Sequence, residues 1–109
     1  MILVVGGCFQ GKKEYAFRQF GIRPEEAADG ALCPPEAIFE TKMLYHFHEY
    51  IRRSMEEERE FSLEELLEKN PGVVLVTNEL GYGVVPADRF DREYREKTGR
   101  ICCQAAQAA

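Results

Sequence analysis

Two short, unbroken runs of apolar residues stand out in a chain that otherwise mixes polar and apolar positions. They cover residues 2–5 and 73–76, and both are rich in valine. Continuous apolar runs of this length are typical of strands that are buried on both faces of a parallel sheet. The pattern therefore predicts two central strands that are far apart in the chain.

Apolar residues recur at helical spacing shortly after the first strand. The helix predicted there begins at Lys12 and ends at Gly21, because glycine readily closes a helix. Residues 22–35 carry three prolines and one glycine. This segment is therefore predicted to be mainly turn or loop, with a short helical piece at 25–28.

A second helical region is predicted from Glu36, with a break at an unassigned place within residues 38–44. The apolar stripe of this region consists of Leu44, Phe47, Ile51 and Met55. Ser62 and Glu65 then have the spacing of a capping box. They predict a short helix that ends near Lys69.

A glycine-punctuated loop over residues 77–86 follows the second strand. The final helix is predicted from about Asp88, with Gly99 as a point of interruption. Strands and helices in this order predict an α/β domain. In open α/β sheets, ligands bind at the carboxyl ends of the strands, which is where this loop begins.

Composition narrows the class of protein. The 109 residues are 45% apolar and 30% charged, which is typical of one globular domain, and we assign it to residues 1–109. No apolar run approaches the roughly 20 residues that cross a bilayer. No basic segment precedes the first apolar run, so we expect no signal peptide and a cytoplasmic protein. The net charge of −5 argues against a nucleic-acid partner.

Four cysteines are present, and they form no C-x-x-C pair. They are Cys8, Cys33, Cys102 and Cys103. We expect free thiols, because the remaining sequence is typical of a cytosolic α/β protein. A zinc site that combines them with a histidine lacks the usual ligand spacing, so no metal ligand is assigned.

The loop after the first strand has the spacing of a phosphate-binding loop. Gly6 is followed after four residues by Gly11 and Lys12, between a predicted strand and a predicted helix. Glycines let backbone N–H groups surround phosphate oxygens, the helix N-terminus favours negative charge, and the lysine neutralises it. The residues expected to bind GTP or ATP phosphates here are Gly6, Gly7, Cys8, Phe9, Gln10, Gly11, Lys12 and Lys13.

Lys13 departs from the usual pattern. This position normally carries Ser or Thr, whose hydroxyl binds Mg²⁺. An ammonium group cannot bind a cation and adds positive charge beside it, so the use of Mg²⁺ stays open. The alternative interpretation of the segment is a glycine turn that joins a strand to a helix, followed by two solvated lysines.

The segment after the second strand is the other candidate for chemistry. Thr77, Asn78 and Glu79 offer hydroxyl, amide and carboxylate groups, and nearby glycines allow the backbone to approach a ligand. We expect these three residues to line the nucleotide site. The alternative is a surface loop whose glycines only form turns.

Two histidines, His46 and His48, lie in the second helical region. A histidine can act as a general base, a covalent nucleophile or a metal ligand. On a helix, two residues of this spacing face different sides and share no metal, whereas in a strand they share a face. A structural role, with one ring packed and the other exposed, is the alternative.

The two glycine-bearing segments together resemble the adenosylcobinamide kinase/adenosylcobinamide-phosphate guanylyltransferase family. Residues 4–12 are similar to the family's amino-terminal strand and Gly-Gly-x-x-x-Gly-Lys-Ser loop. Residues 74–86 are similar to its longer and more specific Thr-Asn-Glu-x-Gly-x-Gly-x-x-Pro segment. The helix that follows also fits, and the matching segments cover about half of the chain in the family's order.

The resemblance implies a P-loop, RecA-like three-layer α/β fold with a short, mostly parallel sheet, reduced relative to the family. It implies an enzyme of cobalamin assembly that phosphorylates adenosylcobinamide, a corrinoid, and then transfers GMP from GTP. By this resemblance Gly6, Gly7, Gly11 and Lys12 hold nucleotide phosphates, and residues 77–79 line the same edge. Lys12 and Glu79 become the candidates for catalytic roles.

Besides Lys13, which stands in place of the family's serine, four features depart from the family. No clear aspartate-ended strand supplies the family's second metal-binding carboxylate, for which Glu40 and Asp29 are the candidates. The chain between the two matching segments is far shorter than in full-length members. The segment that carries the family's guanylylated histidine, followed by a basic, tryptophan-bearing stretch, has no counterpart, so that role is not transferred to His46 or His48. Family members also normally continue beyond the position of Ala109 into a last apolar strand, which leaves open whether this chain is trimmed there.

Two hypotheses follow from these patterns. The first is a nucleotide-dependent kinase of cobalamin biosynthesis or salvage, with guanylyl transfer less favoured than phosphorylation. The second is a non-catalytic nucleotide- or phosphate-binding protein that retains the fold for regulation or interaction. A sheet with so few strands leaves edges that need cover, so we also expect a homo-oligomer.

Overall fold

Four parallel strands form the centre of the structure, a computed structural model that describes residues 1–6, 12–78 and 89–108. Their order across the sheet is β1-β4-β3-β2. The strands are β1 (Ile2–Gly6), β2 (Ala27–Asp29), β3 (Met43–Tyr45) and β4 (Val74–Asn78). Because every pairing is parallel, all four carboxyl ends lie at one edge of the sheet.

The pairing of β1 with β4 is the most extensive in this sheet. Its register runs from Ile2 opposite Val74 to Gly6 opposite Asn78. The amino group of Met1 extends the pairing by donating to the carbonyl oxygen of Pro71 at 2.8 Å. The two apolar runs of the sequence are thus neighbouring strands, which confirms the prediction of two buried strands at these places.

Four α-helices cover the two faces of the sheet. They are α1 (Lys12–Phe20), α2 (Phe47–Glu56), α3 (Leu63–Lys69) and α4 (Arg89–Ala108), and two 3₁₀ turns span Pro24–Glu26 and Pro35–Phe39. Helix α1 packs on one face, where Ala16 is buried with Met43, Val74 and Val76. Helices α2, α3 and α4 pack on the other face. The residues buried there include Leu44, Phe47, Ile51, Leu66, Leu75, Tyr94 and Ile101.

Side chains alternate between these two cores along each strand. In β4, Val74 and Val76 face α1 while Leu75 faces the opposite layer. Met43 and Leu44 divide in the same way in β3. This alternation explains why the strands are apolar without interruption, since both of their faces are buried. The predicted α/β fold, with a short parallel sheet between helical layers, is confirmed.

Two of the four strands were not predicted from the sequence. Residues 25–28 do not form a helical piece, because the 3₁₀ turn ends at Glu26 and Ala27 begins β2. The helical region predicted from Glu36 is also wrong over most of its first half. It begins as a 3₁₀ turn, and Leu44 lies in β3 rather than on the stripe of α2. Strands of three residues are too short to show a period of two, so only the pairing of β3 with β4 and of β2 with β3 reveals them.

The ends of the helices mostly follow the predicted signals. Helix α1 ends at Phe20, and Gly21 adopts a φ of 63° that glycine tolerates without strain. The hydroxyl of Ser62 accepts a hydrogen bond from the backbone N–H of Glu65 at 3.2 Å, as a cap requires. Gly99 does not interrupt α4, which is continuous from Arg89 to Ala108. The cysteines are free at positions 33, 102 and 103, as predicted, and Cys8 lies outside the described residues.

An ionic cluster joins the amino ends of β2 and β3. The Glu26 carboxylate contacts Lys42 Nζ and also accepts from the backbone N–H of Arg23 at 3.1 Å. The hydrogen bond from Lys42 is the main reason that the pKa of Glu26 falls to about 2 from its ordinary value of 4.5. The backbone N–H of Lys42 in turn donates to the carbonyl oxygen of Glu26. The cluster therefore fixes where β2 and β3 begin.

Replacing Gly99 by alanine should stabilise the protein by about 0.5–1 kcal/mol, because glycine is unfavourable inside a helix and a Cβ at this position meets no atom within 4 Å. The free energy of unfolding from urea titration measures the effect. Gly21→Ala is the matched control and should destabilise, since its φ is positive. A destabilising Gly99→Ala would contradict a continuous α4.

Acid should weaken the fold through Glu26. A carboxyl group whose pKa is lowered by folding stabilises the native state above its unfolded pKa, and the contribution is lost as the pH falls from about 4.5 toward 2. In urea titrations, Glu26→Gln should therefore be less stable than the wild type at pH 6, and the difference should shrink toward pH 2. Glu96→Gln, an exposed carboxylate on α4, controls for the loss of one negative charge. A stability difference between Glu26→Gln and the wild type that stays constant from pH 6 to pH 2 would contradict the lowered pKa of Glu26.

Candidate functional site

The carboxyl edge of the sheet brings together segments that are remote in the chain. Gly6 ends β1 beside Asn78 at the end of β4, so the two glycine-bearing segments leave the sheet side by side. Tyr45 ends β3 and Asp29 ends β2 at the same edge. Ligands of open α/β sheets bind at this edge, and we therefore take it as the candidate site.

The predicted site residues fall on both described and undescribed parts of the chain. Gly6 ends β1, Lys12 and Lys13 are the first two residues of α1, and Thr77 and Asn78 end β4. The remaining predicted residues lie outside the described residues. They are Gly7, Cys8, Phe9, Gln10, Gly11 and Glu79. The strand and helix that flank the loop after β1 have the expected order, while the binding roles of all these residues stay predictions.

Thr77 connects the end of β4 to α2. Its side chain is 1% exposed, and Oγ1 lies 3.4 Å from Nδ1 of His48. His48 is also buried, in the first turn of α2, and its Nε2 lies 3.6 Å from a carboxylate oxygen of Glu49. A buried hydroxyl and a buried imidazole thus meet directly beneath the candidate site.

Helix α4 supports this buried pair. The hydroxyl of Tyr94 donates to the backbone carbonyl oxygen of His48 at 3.2 Å. Burial, followed by the nearby charge of Glu49, raises the pKa of Tyr94 to about 12. The phenol therefore stays protonated at neutral pH and keeps donating. Arg52 lies over the rings of Phe90 and Tyr94, which ties α2 to α4 a second time.

His46 has a different environment from His48. It is the residue before α2, and its φ of 53° and ψ of 42° place it in the left-handed region. Its Nδ1 lies 2.8 Å from Oδ1 of Asp29, across from β3 to β2. The side chain is 43% exposed, whereas that of His48 is 8% exposed. The expected division into one packed and one exposed histidine is thus observed.

The loop after β2 is held tightly against this histidine. The N–H of Gly30 donates to the carbonyl oxygen of Tyr45 at 2.7 Å. Arg53 of α2 donates from Nη1 to the carbonyl oxygen of Gly30 and from Nη2 to that of Cys33, at 2.7 and 2.9 Å. Burial raises the pKa of the Cys33 thiol, which keeps it neutral. Asp29 is consequently presented by a loop that is anchored at both ends.

Sequence reasoning missed Arg53 as a member of the site, and it considered Asp29 only as a candidate metal-binding carboxylate beside Glu40. The only local signal was an aspartate directly before Gly30, which is equally typical of a turn. The pairing of β2 with β3 is what brings Asp29 close to His46. It also places residues 30–33 within reach of Arg53. Both assignments depend on the parallel pairing of two strands that are three residues long.

Two features of the described residues bear on magnesium binding. Lys13 stands where the phosphate-loop pattern needs a hydroxyl. Oδ1 of Asp29 already accepts from Ala31 N–H at 2.9 Å and lies 2.8 Å from Nδ1 of His46. Within residues 1–6, 12–78 and 89–108, no group of three metal-binding side chains comes together.

Comparison with known proteins identifies the family. A family model described as cobinamide kinase / cobinamide phosphate guanyltransferase matches residues 25–109. The chain belongs to this family. The resemblance noted in the sequence is thereby confirmed, and the family's P-loop fold agrees with the parallel sheet described above. The matched region contains the whole carboxyl edge except β1 and the beginning of α1.

Two curated relatives are similar over a shorter segment. The bifunctional adenosylcobalamin biosynthesis protein CobU of Escherichia coli (strain K12) is 54% identical over 37 residues, and its counterpart from Salmonella typhimurium (strain LT2) is 51% identical over 37 residues. Each match covers 34% of this chain and 20% of the relative. The matched segment thus spans about a fifth of the length of these relatives.

The helices of the described residues include no candidate membrane span. None of them is both long and apolar enough to cross a bilayer. The longest, α4, carries charged residues along most of its length. The prediction of a cytoplasmic location is not tested further by this finding.

Replacing Gly30 by alanine should disrupt the edge. A Cβ there would lie 2.4 Å from the backbone carbonyl oxygen of His46 and 3.0 Å from that of Tyr45, so the strands would have to separate. We expect a loss of about 1–3 kcal/mol in the free energy of unfolding, measured by urea titration. Gly72→Ala, where a Cβ meets nothing within 4 Å, is the control. Equal stability of Gly30→Ala and Gly72→Ala would contradict the close approach of Gly30 to the backbone of His46.

Proposed function

We propose that this chain is a nucleotide-dependent kinase of cobalamin biosynthesis or salvage, which binds GTP or ATP after β1 and phosphorylates adenosylcobinamide. The observation that carries the proposal is the family match over residues 25–109, together with a parallel sheet whose carboxyl edge collects the polar residues. The curated relatives named above are described as adenosylcobalamin biosynthesis proteins. Transfer of that activity to this chain belongs to the proposal.

The order of β1, loop and α1 supports nucleotide binding. Helix α1 begins at Lys12, shortly after β1 ends at Gly6. A helix N-terminus that follows a parallel strand attracts phosphate through its free N–H groups and its dipole. A lysine at the first helical position adds a positive charge there. This arrangement favours a triphosphate at the β1–β4 end of the edge.

Phosphoryl transfer is favoured over guanylyl transfer. The resemblance associates guanylylation with a histidine followed by a basic, tryptophan-bearing stretch, and this chain contains no tryptophan. Phosphoryl transfer needs mainly positioning and charge stabilisation, which a phosphate loop and a polar edge supply. The chain's own contribution is then to hold the nucleotide, orient the acceptor hydroxyl and accept its proton.

A non-catalytic nucleotide- or phosphate-binding protein is the second candidate. The observation that favours it is Lys13, because a lysine cannot provide the hydroxyl that normally binds Mg²⁺ in a phosphate loop. In this alternative the fold and the phosphate site are retained for regulation, and turnover is absent.

Calorimetric titration of GTP, ATP and cobinamide, each with and without Mg²⁺, tests the proposal. The wild type should bind one of the nucleotides, and Lys12→Ala should weaken that affinity at least tenfold through loss of a phosphate contact. Lys69→Ala in α3, at the amino edge of the sheet, is the matched control and should leave the affinity unchanged. Equal affinity of wild type and Lys12→Ala would refute the phosphate site.

Turnover separates the two candidates. If the natural protein transfers phosphate from GTP or ATP to cobinamide, the non-catalytic alternative is refuted. If it binds nucleotide without turnover and Lys13→Ser gains Mg²⁺-dependent hydrolysis, the chain is a binding protein that has lost its metal contact.

A further inference from the structure

Asp29 and His46 form a polar pair at the candidate site that the family resemblance does not assign. His46 Nδ1 and Asp29 Oδ1 are 2.8 Å apart, and the same oxygen accepts from the N–H of Ala31 at 2.9 Å. The two residues come from neighbouring strands, β2 and β3, and meet at the carboxyl edge. The pair therefore lies where the acceptor for a nucleotide held after β1 would be expected.

The hydrogen bond fixes the protonation pattern of the imidazole. An ionised carboxylate only accepts hydrogen bonds, so Nδ1 of a neutral His46 must carry the proton that it donates to Asp29. Nε2 then keeps a free lone pair, and the ring geometry turns it away from Asp29. With 43% of the side chain exposed, the imidazole ring is accessible from solvent. A carboxylate that orients a histidine in this way is a recurring arrangement for general base catalysis.

The backbone of His46 is also strained. A left-handed conformation costs a residue other than glycine roughly 1–2 kcal/mol. This conformation turns the chain sharply between Tyr45, the last residue of β3, and Phe47, the first residue of α2. Strain at a polar edge residue is more often found at functional sites than elsewhere.

The pair is not needed to close the loop after β2. Arg53 already binds the carbonyl oxygens of Gly30 and Cys33, and the N–H of Gly30 binds Tyr45. These contacts hold residues 30–33 against β3 and α2 without any contribution from the imidazole. The imidazole of His46 is therefore not required for the contacts that anchor this loop.

The distance across the sheet suits an acceptor. Parallel strands lie about 4.8 Å apart, and β3 is two strands away from β1, so His46 is roughly 10 Å from the end of β1 along the edge. Phosphates held after β1 and an acceptor hydroxyl beside His46 would meet above β4. The end of β4 contributes Thr77 and Asn78 at that point.

We propose that Asp29 and His46 are a catalytic base pair for phosphoryl transfer to an alcohol, an inference that rests on the proposed kinase function. His46 Nε2 accepts the proton of the acceptor hydroxyl while the hydroxyl oxygen forms a bond to the γ-phosphorus. The bond from that phosphorus to the β–γ bridging oxygen breaks, and the nucleoside diphosphate leaves with the electron pair. Asp29 is the positioning residue that holds the imidazole and stabilises its positive charge. The proton passes from His46 to water after release.

The groups that face His46 from the surrounding elements are few within the described chain. Asp29 contributes a negative charge from β2, and the ring of Tyr45 on β3 lies 5.0 Å from the imidazole between centroids. The ring of His48 on α2 lies at 6.1 Å, and the carboxylate of Glu49 lies next to His48.

Turnover and nucleotide affinity, measured on the full chain, test the pair. His46→Asn tolerates a left-handed backbone but offers no base of similar strength. It should lower kcat by 10²- to 10⁴-fold with less than a threefold change in nucleotide Kd. Asp29→Asn should lower kcat at least tenfold and shift the rise of kcat with pH, which a merely structural residue would not do. Lys69→Ala, in α3 at the amino edge of the sheet, is the control and should leave both kcat and nucleotide Kd unchanged.

Three results would overturn the proposal. The first is a His46→Asn variant whose kcat is within threefold of the wild type. The second is an acid-labile phosphate or nucleotide trapped on His46, since the residue would then be a nucleophile.

The third comes from nitrogen NMR of the histidines, which needs no turnover and decides the case if the wild type binds no nucleotide and the kinase proposal fails. A proton on Nδ1 and a bare Nε2 in the wild type, with the tautomer changed in Asp29→Asn, supports the oriented base. A proton on Nε2 at neutral pH in the wild type refutes it.

Discussion

The parallel pairing of β1 with β4 is the constraint on which the rest of this structure depends. It sets Gly6 opposite Asn78 and so aligns the carboxyl ends of strands that are separated by most of the chain. Because β4 also pairs with β3, and β3 with β2, the same register fixes the positions of Tyr45 and Asp29. A slip by one residue would exchange the two faces of each strand and bury the wrong side chains. The positions of the site residues are thus set by the pairing of the strands and not by any single loop.

Helix α2 and the residue before it position three side chains at the carboxyl edge of the sheet. Helix α2 begins directly after β3, so His46 and His48 remain at the edge where the strand ends. One histidine turns outward to Asp29, and the other turns inward to Thr77. Arg53, two turns further along α2, reaches back to the loop that presents Asp29. Helix α2 and the residue before it therefore supply the exposed ring of His46, the buried ring of His48 and the Arg53 anchor.

How much the sequence could predict depended on the length of each pattern. Residues 2–5 and 73–76 are long enough, and apolar enough, to be recognised as buried strands without other information. The cap at Ser62 and the end of α1 at Gly21 depend on local chemistry, and both were predicted correctly. β2 and β3 have three residues each, and their identity as strands lies in hydrogen bonds to partners elsewhere. The Asp29–His46 pair follows from those two strands, so no local pattern could reveal it.

The position of β1 in the sheet has a consequence for how the chain folds. Its backbone partners lie far away in the sequence: Met1 bonds to Pro71, 70 residues away. The strands β2, β3 and β4 are connected by shorter segments and can associate before β1 finds its place, because closing a long loop is entropically more costly. On the ribosome, β1 emerges first yet must wait until β4 has been made. Strand β1 would then dock last, and the carboxyl edge of the sheet would be complete only in the final step of folding.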